Sequence, residues 1–372
     1  MKRILHISKY YHPFVGGVEQ VASDCVKALN DEYEQKVICF NHNKGSIVDQ
    51  FDGVEITRVG CFAKVASQSL SFSYKKQLKK LINEFNPDIV IFHYPNPFVA
   101  HFLLKHLKNK RFKFVLYWHL DITKQKILGK LFKNQNKKLL KYADKVIATS
   151  PNYIEGSPWL SQYKEKCMII PCCINEERLK INDDIIRKTN EIKNKYVGKH
   201  ICFAFGRHVE YKGLTYLIKA SKILDDNYVV LIGGQGPLTG KLKKEANDDK
   251  KISFLGKLSD EDLKAYLNAC DIFCFPSITK NEAFGIGLAE AMYYGKPAVT
   301  FTIPGSGVNY VNLDGITGLE VENKNYEAYA KAITILSKDL IMQKKIKIAS
   351  KNRIENEFVF NKFKTTIVEV IK

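Results

Sequence analysis

Short apolar runs recur along the whole chain, separated by stretches with apolar residues at helical spacing. The first series of runs comprises Arg3–Ser8, Lys36–Phe40, Val54–Val59, Asp88–His93, Phe112–Trp118 and Lys145–Thr149. Helical patterns lie between most of them, notably Val18–Leu29, Tyr74–Phe85 and Lys124–Tyr142. A second series begins at His200–Phe205 and continues with Tyr228–Ile232, Lys251–Leu255, Asp271–Phe275 and Pro297–Phe301. Runs of this kind, alternating with helices, are those of strands covered on both faces, which means parallel sheets under helices. A polar stretch, about Asn175–Lys199, separates the two series. The expected fold class is therefore α/β, with two Rossmann-like, doubly wound domains, a cleft between them, and ligands at the carboxyl ends of the strands. The expected boundaries are 1–175, 176–355 and a C-terminal helix at 356–372.

Composition agrees with this picture. A chain of 372 residues allows two domains that each bury a core. Apolar content of 45% and aromatic content of 12% suit a soluble globular protein. No apolar stretch reaches the roughly 18–20 residues needed to span a bilayer. The start, M-K-R-I-L-H-I-S, turns polar too soon for a signal peptide and reads as a first strand. The nine cysteines show no paired zinc spacing. Cys39, Cys202 and Cys274 sit inside apolar runs, where cysteine acts as a small hydrophobe. A reducing, cytoplasmic setting without a disulfide framework is expected.

Charge changes the picture in one respect. The net charge is +19, and residues 1–175 carry 27 Lys and Arg against 14 Asp and Glu, whereas residues 176–372 carry 31 against 25. The first half either faces something anionic (a phosphorylated substrate, nucleic acid, an anionic membrane surface) or shows a lysine-rich bias without functional content. No basic-aromatic motif supports nucleic acid as a partner. Lys126, Lys130, Lys133, Lys137 and Lys141 share one helix face, with Leu128, Leu131, Phe132, Leu139 and Tyr142 largely on another. Such a helix fits an anionic lipid surface, or a solvated face above an ordinary core stripe.

Candidate chemistry falls at predicted strand ends. The densest is P-S-I-T-K-N-E-A-F-G-I-G-L-A-E-A-M at 276–292. It places Glu282 in a strand-to-helix loop, followed by Ala283, Phe284, Gly285 and Ile286, and Glu290 within the helix. The helix N-terminus there favours anions, and one carboxylate suits a sugar hydroxyl, the other a ribose hydroxyl. In G-R-H-V-E-Y-K-G at 206–213, Arg207 and Lys212 can neutralise a diphosphate leaving group. Gly16 and Gly17 precede a helix, and Gly234 and Gly236 in G-G-Q-G-P offer further backbone amides. His119 follows a strand and faces the expected cleft, with Asp121 a weaker candidate. Asp260 and Asp262 form a D-x-D, but S-D-E-D from Ser259 is a helix-capping pattern, so no metal is assigned.

In combination these motifs resemble the retaining GT-B glycosyltransferases of group 1, family four, over the whole length. The likeness is carried by P-x-x-G-G-x-E at 13–19, H-L-D-I at 119–122, G-R-x-x-x-x-K-G at 206–213, G-x-G-P at 234–237, E-A-F-G-x-x-x-x-E-A-M at 282–292 and D-G-I-T-G at 314–318. The resemblance implies an acceptor-side N-terminal domain, a nucleotide-sugar-binding C-terminal domain, and a final helix packing back on the first. It implies that Arg207 and Lys212 bind the donor diphosphate, Glu282 and the amides of Ala283, Phe284, Gly285 and Ile286 the donor sugar, and Glu290 the ribose. His119 would lie near the transferred sugar, and Gly16–Gly17 would border donor phosphate and acceptor.

H-L-D-I and G-S-G-V-N at 305–309 are similar to enzymes of bacterial surface polysaccharide assembly, where the acceptor is a glycan or a polyprenyl-diphosphate-linked saccharide. Many relatives carry Glu where this chain has Asn309. The implied reaction transfers a hexose-type sugar from a nucleoside diphosphate sugar with retention, without cofactor or metal, the leaving phosphate helping to deprotonate the acceptor. The implied place is the cytoplasm, peripheral on the inner face of the cytoplasmic membrane. A GT-B phosphorylase or epimerase, and a non-catalytic nucleotide-sugar-binding protein, are the alternatives.

Overall fold

The computed structural model describes residues 1–14, 16–65, 68–122, 126–247 and 249–372, with the backbone alone at 65 and 126–131. The chain divides into two compact units, one of Met1–Cys173 with Phe360–Lys372, the other of Ile174–Val359.

The first unit contains β1 (Lys2–Ile7), β2 (Tyr33–Phe40), β3 (Ile47–Phe51), β4 (Val54–Val59), β5 (Ala63–Val65), β6 (Gln68–Leu70), β7 (Ile89–Tyr94), β8 (Lys113–Trp118), β9 (Lys145–Ala148) and β10 (Cys167–Ile169). Eight of these form one sheet in the order β10-β9-β8-β7-β1-β2-β4-β3, and β5 and β6 form a separate hairpin. Every pairing in the large sheet is parallel except β3 with β4. All six residues of β7 are buried, and β1 is buried from Ile4 onward, as strands covered on both faces must be. β1 pairs with β2 on one side and β7 on the other, so chain order reverses between β1 and β7.

The last helix, Phe360–Ile371, belongs to this unit and packs on the helix Gly17–Leu29. Phe363, Ile367, Val370 and Ile371 form its buried face. Lys113 Nζ donates to the carbonyls of Val370 (3.3 Å) and Ile371 (2.9 Å). The helix opens at Phe360 rather than 356. The residues before it belong to the helix Leu340–Glu357, and Phe358 turns into the second unit against Phe284 and Tyr310.

The second unit contains β11 (His200–Phe205), β12 (Tyr228–Gly233), β13 (Ile252–Gly256), β14 (Ile272–Phe275), β15 (Ala298–Phe301) and β16 (Gly318–Val321). They form one parallel sheet, β13-β12-β11-β14-β15-β16. Chain order reverses between β11 and β14, so the loops after these two strands open side by side at the carboxyl edge. All nine cysteines are free, and all but Cys167 are buried. Among the described residues no helix is long and apolar enough to cross a membrane.

Candidate active site

The loops after β11 and β14 hold the most concentrated chemistry of the second unit. After β11 the chain makes a single turn at Glu210–Lys212, and Gly213 leads into the helix Leu214–Ser221. After β14 it runs through Pro276–Phe284 to Gly285, whose φ of +97° is left-handed and suits a residue without Cβ. The helix Ile286–Tyr293 follows with no side chain capping its first amides. Its amino end therefore stays available to an anion.

These loops bring Lys212 and Glu282 together: Lys212 Nζ lies 2.5 Å from Glu282 Oε2. Ser277 Oγ donates to the same carboxylate oxygen at 3.0 Å. The ammonium also sits 4.9 Å from the centre of the Phe275 ring. Burial alone would lower the Lys212 pKa, but the Glu282 carboxylate more than offsets it and raises the value, so the side chain stays cationic. The loop carrying Glu282 is braced from behind. Ser306 Oγ donates to the Glu282 carbonyl at 2.5 Å, and the Gly307 amide to the Ala283 carbonyl at 3.0 Å. Asn309 is spent on its own loop, accepting from the Ile303 amide (2.7 Å) and donating to the Phe301 carbonyl (3.1 Å). Phe284 is 4% exposed and packs on Phe358, so it anchors the loop rather than lining its surface.

Arg207 differs from Lys212 in environment. It is exposed, and among the described residues its guanidinium makes no hydrogen bond or ion pair. Gly234 and Gly236 do not offer free amides as the sequence suggested. The Gly234 N–H donates to the Gly256 carbonyl (2.6 Å) and the Gly236 N–H to Thr239 Oγ1 (2.9 Å). What they supply is closeness. A Cβ at Gly234 would lie 2.0 Å from the Gly206 carbonyl oxygen, so only glycine lets this loop press against the loop carrying Arg207.

Glu290 is buried within its helix, and Arg178 holds it. Arg178 lies on the short helix Glu176–Leu179, within the polar stretch that separates the two series of apolar runs. Its guanidinium also pairs with Asp260, and its carbonyl accepts from Lys264 Nζ at 2.9 Å. Burial raises the Glu290 pKa and Arg178 opposes the rise. Asp260 and Asp262 act as helix-end residues. Ser259 Oγ accepts from the Asp262 amide (3.1 Å), Asp260 pairs with Lys264 (3.1 Å) as well as Arg178, and Asp262 pairs with Lys188 (2.8 Å).

In the first unit, His119 follows β8 and is almost fully buried. Its Nε2 lies 3.0 Å from His93 Nδ1, and its ring stacks on Tyr117 at 4.4 Å. His93 on β7 in turn stacks on His6 of β1 (6.0 Å), whose Nε2 lies 2.8 Å from Gln35 Oε1. Burial lowers all three pKa values, His6 to about 4 and His119 to about 3. Burial thus favours the neutral form of all three rings, which leaves His119 a hydrogen-bonding group rather than a positive charge. Asp121 is structural: its carboxylate accepts from Trp118 Nε1 and Ser157 Oγ, each at 2.9 Å.

Gly16 opens the helix Gly17–Leu29, and the Glu19 carboxylate folds back over this amino end, where a Cβ on Gly16 would lie 2.3 Å from its Oε2. Burial raises the Glu19 pKa, and a hydrogen bond from its own backbone amide and the nearby Lys9 oppose the rise. In the helix Lys126–Tyr142, Lys133, Lys137 and Lys141 are exposed, Phe132 and Tyr142 half-buried and Leu139 buried. The side chains of Lys126, Leu128, Lys130 and Leu131 lie outside the described residues.

Comparison with known proteins places this geometry in a family. The family described as "Glycosyl transferases group 1" matches residues 185–353, and "Glycosyltransferase Family 4" matches 15–178. The D-rhamnosyltransferase WbpZ of Pseudomonas aeruginosa is 33% identical over 89% of this chain and 85% of its own. The O-antigen chain mannosyltransferase C of Escherichia coli is 28% identical over 90% and 88%. Among solved structures, sucrose-phosphate synthase from Thermosynechococcus elongatus superposes with a TM-score of 0.82 at 17% identity, covering 100% of this chain and 98% of its own. WaaG, a glycosyltransferase involved in lipopolysaccharide biosynthesis, does so at 0.71 and 13% identity over 99% of each chain. At such identities these two show the fold alone, which is GT-B.

Proposed function

The chain belongs to the group 1, family four glycosyltransferases, and from that premise we propose that it moves a hexose-type sugar from a nucleoside diphosphate sugar to a glycan or lipid-linked saccharide in surface polysaccharide assembly, with retention at the anomeric carbon. The observation that carries the reading is the Lys212–Glu282 pair at the β11/β14 reversal, beside an uncapped helix amino end. Two relatives that share most of its length are named for D-rhamnosyl and O-antigen mannosyl transfer, which supports this substrate class.

Charge grows on the diphosphate as the glycosidic bond breaks. Lys212, Arg207 and the amino end of Ile286–Tyr293 meet that charge with positive potential already in place, which lowers the barrier without reorganisation. Glu282, fixed by Ser277 and by the brace behind its loop, accepts from hydroxyls of the departing sugar. Glu290 accepts from the ribose hydroxyls in exchange for Arg178. His119 contributes a neutral hydrogen bond near the transferred sugar. The leaving phosphate takes the acceptor proton. Two cations do the work a divalent metal does elsewhere, so turnover should survive chelation.

The test is a panel of UDP- and GDP-linked hexoses and deoxyhexoses, read by released diphosphate, with product configuration assigned by NMR. Turnover of one donor with retained configuration and no loss in EDTA is expected. Inversion, or activity that vanishes in EDTA and returns with manganese or magnesium, would overturn the mechanism. Turnover of no donor would overturn the function.

A further inference from the structure

The second unit carries an apolar, basic corner far along its chain from the loops described above. The helices Tyr326–Lys338 and Leu340–Glu357 meet there through Asp339 alone. Ile335 is 41% exposed, Leu340 65%, Ile341 69% and Ile348 62%. Single exposed apolar residues are ordinary, but a contiguous patch of branched aliphatics calls for something to cover it. An open groove of about 590 Å³ runs along the junction, lined by Thr334, Ile335, Lys338, Asp339, Leu340 and Ile341.

Spacing ties lysines to these residues. Ile341, Lys344, Lys345 and Ile348 stand at positions i, i+3, i+4 and i+7 of their helix, hence on one face. Lys331, Ile335 and Lys338 stand at i, i+4 and i+7 of the other helix. Lys331, Lys338, Lys344, Lys345 and Lys351 are exposed, and none makes an ion pair among the described residues. The carboxylate of Asp339 is engaged on the Met342 amide at 2.8 Å. Glu327 and Glu355 stand near the far ends of the two helices.

We propose that this corner docks on an anionic lipid surface. The aliphatic side chains enter the boundary between headgroups and acyl chains, and the lysines lay their stems along them with the ammonium groups at the phosphates. Charge complementarity selects this occupant. A second copy meeting the same patch across a two-fold axis would set five unpaired lysines against five more. The inference holds whichever donor and acceptor the enzyme uses.

Flotation with vesicles of phosphatidylcholine alone, and of phosphatidylcholine with phosphatidylglycerol in a three-to-one ratio, tests it. The wild type, the double variant Leu340→Ser/Ile341→Ser, the double variant Lys344→Glu/Lys345→Glu and a first-unit control, Lys133→Glu/Lys137→Glu, are compared. The wild type should partition onto anionic vesicles and be released by high salt. Each second-unit double variant should weaken that partition by about tenfold or more, Lys344→Glu/Lys345→Glu by reversing two charges at the anionic surface and Leu340→Ser/Ile341→Ser by losing the apolar area that enters it, while retaining wild-type affinity for nucleoside diphosphate. Wild-type protein that ignores anionic vesicles, or second-unit variants that bind them like the wild type, would overturn the proposal. So would loss confined to the first-unit control. Self-association abolished by Leu340→Ser/Ile341→Ser, with lipid binding unchanged, would make a second copy the occupant.

Discussion

Lys212 Nζ stands 2.5 Å from Glu282 Oε2, and this ion pair, with the Ile278 amide donating to the Tyr211 carbonyl at 2.9 Å, ties together the loops that follow the two strands flanking the chain reversal of the second sheet. Both side chains are mostly buried, at 17% and 13% exposure. In the absence of donor each satisfies the other's charge. In the proposed reaction, a bound donor gives the ammonium a diphosphate to meet and the carboxylate a sugar.

A double-mutant cycle separates those two roles. Lys212→Met and Glu282→Leu should each destabilise the second unit by about 1–3 kcal/mol, because each strands the partner's charge in a half-dry site. The double variant should recover most of that loss and remain inactive. Calorimetric unfolding gives the stabilities. Additive losses in the cycle would mean that the contact carries no coupling.

The histidine row predicts acid sensitivity in the first unit. A histidine whose folded pKa lies below its unfolded value stays neutral while the unfolded chain takes up a proton. Its stability is whole above about pH 6.5 and drains at about 1.4 kcal/mol per pH unit as pH falls toward the folded value. For His6 that window closes at about 4 and for His119 at about 3, both set by burial. Asp24, raised to about 6 by burial, has the opposite sign between its unfolded value and 6, and offsets one histidine there. Trp118 and Trp159 are the chain's two tryptophans and both lie in the first unit, so their emission reports that unit alone. Unfolding followed this way should show stability dropping from pH 6.5 to 4.5. His119→Gln should flatten the drop and Asp24→Asn steepen it. A flat wild-type profile would mean that the row protonates freely.

The strands the sequence made legible are those buried on both faces, such as β1, β7, β8, β11, β12 and β14, because full burial leaves an unbroken apolar run. β3, β10 and β16 escaped, being only partly covered and too short to show a period. The β5–β6 hairpin pairs outside the main sheet and has no such run at all. The site divides along the same line. Glu282, Lys212 and Glu290 announce themselves through local glycine and helix-start patterns. Arg178 could not, since its partner Glu290 lies 112 positions away and its own surroundings read as a polar linker. His6 and His93 were present as the polar interruptions of strand runs, a signal that could have been paired with His119. The free-amide role of Gly234 and Gly236 was misread because the acceptors that occupy them, on Gly256 and Thr239, are set by the fold of neighbouring loops.

Arg178 should govern the pH dependence of nucleotide binding. It opposes the burial that raises the Glu290 pKa. Arg178→Ala leaves the buried carboxylate without its cation, so its pKa climbs further and protonation intrudes at higher pH. Near pH 8 the variant should bind nucleoside diphosphate within about tenfold of the wild type, which is 1.4 kcal/mol. Toward pH 6 its affinity should fall away while the wild type holds. Titration calorimetry at several pH values checks this, and a loss equal at every pH would show that Arg178 acts by packing alone.

The two glutamates should fail in different ways. Glu282 sits in the braced loop beside Lys212, where the proposal puts the reacting sugar and phosphate, so its contacts should tighten as the bond breaks. Glu290 is held deeper by Arg178 and should touch the ribose, which does not change during reaction. Interactions equal in ground and transition states move KM, and those that strengthen in the transition state move kcat. Glu282→Ala should therefore lower kcat by on the order of 10²-fold or more, the scale of one lost transition-state contact. Glu290→Ala should weaken donor binding by about 1.5–3 kcal/mol, the range for a hydrogen bond to a charged group. The bare nucleoside diphosphate separates the two without turnover: its affinity should fall in the Glu290 variant and change little in the Glu282 variant. That second expectation is demanding, because Glu282→Ala also frees Lys212 from its only ion pair among the described residues, and a freed ammonium can bind phosphate more tightly. A modest gain in diphosphate affinity with kcat lost would still assign Glu282 to the sugar. Loss of diphosphate affinity in the Glu282 variant, with none in the Glu290 variant, would reverse the assignment.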